Sequence, residues 1–129
     1  MRAKRWFLAA VLASLLPLAG AHELTPNECA EGSDFIKNAA LSRDYGMTRE
    51  DFLGRMESDL ALIQAFPPEL RWFVQDQDDE TLLMGFAQSV FDSPQAPESH
   101  QSAFLAACEQ RRALQSGDAA QIGDAALVR

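Results

Sequence analysis

A chain of 129 residues, 47% hydrophobic, with 19 acidic and 11 basic residues and a formal charge of −8, is long enough for one small domain with a single core. The acidic excess excludes the cationic surface that nucleic acid and anionic lipid require, and it suits a basic protein partner.

The chain opens on an export signal. Residues 1–5 carry three positive charges, residues 6–20 form an apolar run interrupted by Pro17, and Ala19-Gly20-Ala21 supplies the small residues of a cleavage site. This order is that of a secretory signal peptide, so cleavage is expected between Ala21 and His22, delivering residues 22–129 to the periplasm or the exterior as a soluble protein. The run is shorter than the roughly 20 residues of a membrane span, and nothing after it is apolar enough to span. Leu18-Ala19-Gly20 is followed by Ala21, where a lipid-anchored protein has cysteine. Arg2, Lys4 and Arg5 leave with the signal while all 19 acids stay, so the remaining eight basic residues give the mature chain a formal charge of −11.

Cys29 and Cys108 are the only cysteines. In an oxidising compartment such a pair is read as a disulfide, and their wide separation argues against the C-x-x-C arrangement of redox centres.

The mature chain predicts helices throughout, an all-α bundle of four to five helices in a single domain over 22–117. Thr25 caps the first, with Pro26 at its first position and Glu28 closing a capping box. Cys29, Gly32, Phe35, Ile36, Ala39 and Ala40 share one arc, and Gly46 suits the left-handed position past the helix end. Thr48 caps the second helix, Asp51 stands three residues on, and Met47 and Phe52 have staple spacing. Phe52, Leu53, Met56, Leu60 and Ile63 form its stripe before Pro67-Pro68 stops it. A short third helix is expected from Glu69 to about Gln75. A fourth follows to about Asp92, with Leu82, Leu83, Phe86, Ala87 and Val90 inward. Residues 93–97 read as a loop. The last helix is expected over about 98–115, burying Phe104, Leu105 and Cys108 and ending at Gly117, with 118–129 a flexible tail. The disulfide then joins the first and last helices.

Few residues point to chemistry. Trp72, opposite Leu70, Phe73 and Val74 on the expected third helix, is either packed between layers or offered to a partner, because aromatic side chains dominate interface hot spots. After cleavage His22 has both a free amine and an imidazole, a copper-chelating pair whose tight form needs a second histidine, and His100 is the only other one. With no Met-x-x-Met cluster beside it, no metal or cofactor is expected. Residues 76–80 are acid-rich, but an EF-hand loop starting at Asp76 needs Gly and Glu where Thr81 and Ala87 stand; capping and the helix dipole account for the acids. The sequence contains no nucleophile elbow, zinc-hydrolase or phosphate-loop motif, so no catalytic residue is assigned and a non-enzyme is expected.

Glu28-Cys29, Phe35-Ile36, Ala39-Ala40 and Ser42-Arg43-Asp44-Tyr45-Gly46, followed by Val90-Phe91-Asp92-Ser93-Pro94 and by Cys108 after Phe104, form a spaced pattern. In this the chain resembles a loose group of uncharacterised small exported bacterial all-helical proteins with one N-terminal and one C-terminal cysteine and an "R-D-x-G" after the first helix. The resemblance implies the helical fold and no activity, and residues 66–80 exceed the pattern in length. The function expected is a non-catalytic protein-binding module, inhibitor- or immunity-like, for a cationic exported partner. The alternatives are an acid-stress periplasmic chaperone, whose 19 carboxylates neutralise as pH falls, and a structural envelope component.

Overall fold

The structure is a computed structural model that describes residues 22–127, with side chains through residue 117. Residues 1–21, and with them the expected cleavage residue Ala21, lie outside the described residues. Four α-helices follow one another: α1 Pro26–Asp44, α2 Arg49–Ile63, α3 Gln77–Asp92 and α4 Pro97–Leu127, with a single 3-10 turn at Pro68–Leu70 and no strand among the described residues. No helix among them is long and apolar enough to cross a membrane.

The helix starts form as local chemistry dictates. Thr25 Oγ1 accepts from the Glu28 N–H and the Glu28 carboxylate accepts from the Thr25 N–H, both at about 3 Å, completing the capping box. Thr48 and Asp76 cap α2 and α3 in the same way, through the N–H groups of Asp51 and Asp79. Gly46 is the one described residue with positive φ, +98°, and it turns the chain from α1 into α2.

The seam between α1 and α4 is the most extensive helix pairing in the domain. The inward face of α1 is Cys29, Gly32, Ser33, Ile36, Ala39 and Ala40, mostly small residues that let α4 come close. Ser33 replaces the expected Phe35 in this face and satisfies its hydroxyl by donating to the Ala30 carbonyl at 2.8 Å. Cys29 and Cys108 are fully buried and joined as a disulfide, with Cα atoms 5.6 Å apart. At Gly32 an added Cβ would stand 2.5 Å from the Phe104 ring and 3.1 Å from Phe73, so the close approach of the two helices requires glycine there. Phe73, Phe86 and Phe104 continue the core as edge-to-face pairs, with centroids 5.3–5.5 Å apart.

Several expectations are corrected. The third helix over 69–75 does not form, because the Arg71 guanidinium takes the carbonyls that a helix would use. It donates to the carbonyls of Gln64, Phe66 and Gln75 at 2.9–3.1 Å, and the Gln75 side chain donates to those of Arg71 and Trp72. Arg71 is extended, and Phe73 and Val74 turn inward from an irregular segment. The last helix does not end at Gly117: its backbone continues to Leu127. Leu105 is 38% exposed, whereas His100 joins Phe104 and Cys108 inside. Leu24, just ahead of α1, is buried at 6% exposure and held by α4. Its N–H donates to Gln115 and its carbonyl accepts from Arg112.

Candidate functional site

Helix α2 packs chiefly on α3, not on α1, which leaves a furrow along the α1–α2 side. Phe35 lies on its floor. The α1 arc that buries Ile36 and Ala39 leaves Phe35 at the edge, where it meets Phe52 of α2 at 5.9 Å and Trp72 edge-to-face at 5.3 Å. Two cavities of about 160 and 210 Å³ run together along the furrow and share Phe35, Met56 and Asp59. Leu60, Ile63 and Trp72 line one end; Met47, Phe52 and Arg55 line the other.

Trp72 is thus neither buried in the core nor free in solvent. It stands half-buried in the furrow wall, with Phe35 on one side and Phe73 at 6.1 Å on the other. Just before it in the chain, Leu62, Phe66 and Leu70 are 52–71% exposed. The sequence singled out Trp72 but missed Phe35, Phe52 and Ile63 as its companions, because a helical stripe gives no sign of where the facing helix stands off.

The two histidines are separated. The His22 imidazole pairs with Glu28 at 2.7 Å, at the end of the molecule where Gln115 receives the incoming chain. His100 is buried fifteen residues back along α4, about 22 Å along the axis at 1.5 Å per residue. The copper pair that needs both is not assembled. Among the described residues no group of three or more His, Cys, Asp or Glu is placed to hold a metal ion.

His100 belongs to a polar knot centred on Arg43. The Arg43 guanidinium donates to the carbonyls of Val90 and Gln95, each at 2.7 Å, and lies 3.3 Å from His100 Nε2. His100 Nε2 accepts from the Gln95 N–H at 3.0 Å, which fixes that nitrogen as unprotonated. Burial lowers the imidazole pKa and the neighbouring guanidinium lowers it further. The knot brings together the two short motifs of the sequence pattern, Arg43-Asp44-Tyr45-Gly46 and Val90–Pro94, through the Arg43–Val90 hydrogen bond. It is structural, tying the end of α1 to the α3–α4 loop.

The acids at 76–80 also resolve into separate roles. Asp79 is fully buried with its Oδ1 3.2 Å from Arg111 Nη2, an ion pair without hydrogen-bond alignment, while its Oδ2 accepts from the Gln75 N–H at 3.0 Å. Burial raises the Asp79 pKa. Burial pushes the Asp76 carboxyl in the same direction, but the N–H groups of Asp79 and His22 and the Arg111 charge outweigh it and hold Asp76 below the ordinary value.

Comparison with protein families, characterised proteins and solved structures gives no match.

Proposed function

We propose that the mature chain is an exported, non-catalytic binding module, inhibitor- or immunity-like, that seats an apolar segment of a basic protein in the α1–α2 furrow against Trp72. The furrow carries this reading: it is where four aromatic and aliphatic side chains, Phe35, Phe52, Ile63 and Trp72, stand half-exposed together above the buried Leu60. Large aromatic side chains held rigidly at the edge of a groove are the anchors on which protein interfaces concentrate their energy. Charge supports the choice of partner. A formal −11 on residues 22–129 steers a cationic protein toward the domain, and Asp59 lies in the furrow itself. The buried disulfide suits an oxidising compartment, in keeping with export.

Trp72 is the only tryptophan outside the leader, so its emission reports on the furrow directly. The oxidised mature protein, immobilised and exposed to proteins of its own cell envelope, is expected to retain a basic protein at low ionic strength. About 0.5 M salt should release it, since that concentration shortens screening to a few ångströms. Binding should alter Trp72 emission, and Trp72→Ala should abolish retention while leaving the helical content unchanged. Retention indifferent to both salt and Trp72→Ala overturns the proposal. Suppression of client aggregation near pH 3 with no retained partner favours the chaperone alternative instead.

A further inference from the structure

The stretch 22–25 is held more firmly than a chain end needs to be. The His22 N–H donates to Asp76 Oδ2 at 2.7 Å, and the His22 carbonyl accepts from Gln115 Nε2 at 2.9 Å. Gln115 Oε1 in turn accepts from the Leu24 N–H at 3.0 Å, and the Leu24 carbonyl accepts from Arg112 at 3.1 Å. The His22 backbone nitrogen is therefore fixed against a carboxylate by contacts from α3 and α4 on both sides of it. In the uncut chain that nitrogen is an amide and brings no charge. Around it stand two carboxylates, Asp76 and the fully buried Asp79, with one guanidinium, Arg111, 3.9 and 3.2 Å from them. The Glu28 carboxylate is taken by the His22 imidazole, and the Arg112 charge by the Glu109 carboxylate, with its Nε on the Leu24 carbonyl. The group is one positive charge short.

We infer that the Asp76 carboxylate is the seat for the α-ammonium group that cleavage after Ala21 creates on His22, so that removal of the leader completes a partly buried charge cluster and locks the mature fold. Hydrolysis of the Ala21–His22 peptide bond replaces the amide N–H by an ammonium at the same atom, already within hydrogen-bond distance of Asp76. Two carboxylates then face two cations. The same nitrogen would be one arm of any copper chelate at His22, and the seat occupies it with a proton instead. The inference rests on the export reading for the cut alone and is independent of the furrow.

A free α-amino group titrates at about 7.7–8.0. Seated on Asp76 it should titrate about one unit higher, a tenfold stronger hold on its proton. A group whose pKa is raised by folding contributes stability below its unfolded value and loses it as pH rises through the folded value. The oxidised chain that begins at His22 should therefore lose stability between about pH 8 and 9. The same chain with its amine acetylated, and one that begins at Ala21, should lack that loss. Asp76→Asn keeps an N-cap for α3, since asparagine caps as well as aspartate, so the fold should persist while the amine returns to its ordinary value. Titration of the His22 amine by NMR, with unfolding midpoints of the four proteins across that range, reads all of this. An ordinary amine pKa in the folded His22 chain, or a pH profile unchanged by acetylation, overturns the inference. The mass of the protein recovered from exporting cells separates this failure from failure of the export reading. A chain recovered uncut and unexported overturns export, whereas a chain exported but cut elsewhere overturns only the seat.

Discussion

Helix α1 has two unlike neighbours, and the contrast between them organises the molecule. Toward α4 it presents glycine, alanine, serine and cysteine, and the helices approach closely enough to place the Cys29 and Cys108 Cα atoms 5.6 Å apart. Toward α2 it presents Phe35, whose ring props the neighbouring helix away and leaves an aromatic-walled furrow. Small residues allow backbone contact and leave no cavity, whereas large ones touch by their rims and leave gaps between. One side of α1 thus closes against its neighbour and the other stays open.

Breaking the seam should have the largest effect. The disulfide closes a loop of 79 positions, which the loop-entropy argument values at about 4–5 kcal/mol. Replacing both cysteines by alanine, which leaves no buried hydroxyl behind, should lower the thermal midpoint by roughly 20 °C or more, read by circular dichroism. A domain of this size has about 5–10 kcal/mol in total, so the variant stands near the edge of folding.

A second comparison sharpens the contrast at one atom per side. Gly32→Ala puts a methyl group into the Phe104 ring, which Phe73 and Phe86 hold in place, and should cost about 1–3 kcal/mol in urea unfolding. Gly54→Ala on α2, where an added Cβ meets nothing within 4 Å, should instead stabilise by about 0.5–1 kcal/mol through helix propensity. Equal effects of the two substitutions would show that the seam is not as close as it stands here.

The smallest expected effect lies in the Arg43 knot at the far end of the seam. His100 is held neutral by burial and by Arg43, so its folded pKa is below its unfolded one. The unfolded chain then binds the extra proton, and stability falls as pH drops through about 6.5 toward the folded value. His100→Gln removes this titration. Its unfolding midpoint should change less than that of the native chain between about pH 7 and pH 5.

Much of the fold was legible because its signals are local. Thr25, Thr48 and Gly46 act within four residues of themselves, so capping and turn rules find them without knowledge of the rest of the chain. The stripe of α2 was legible for the same reason. The segment 69–75 was not. Arg71 and Gln75 have the spacing of a helix-surface pair, and only the folded chain shows their side chains capturing local carbonyls. The anchoring of Leu24 was equally hidden, since Gln115 and Arg112 lie some ninety residues away in sequence.

By itself, then, the sequence determined that the chain is acidic, helical, punctuated at named caps and closed by its one cysteine pair, because each of these follows from composition or from neighbours within a turn. The tertiary structure alone decided which side of α1 closes and which stays open, where Trp72 stands, and that the His22 nitrogen rests on Asp76. Those outcomes depend on the separation between helices, and that separation is set by side chains that meet only when the chain has folded.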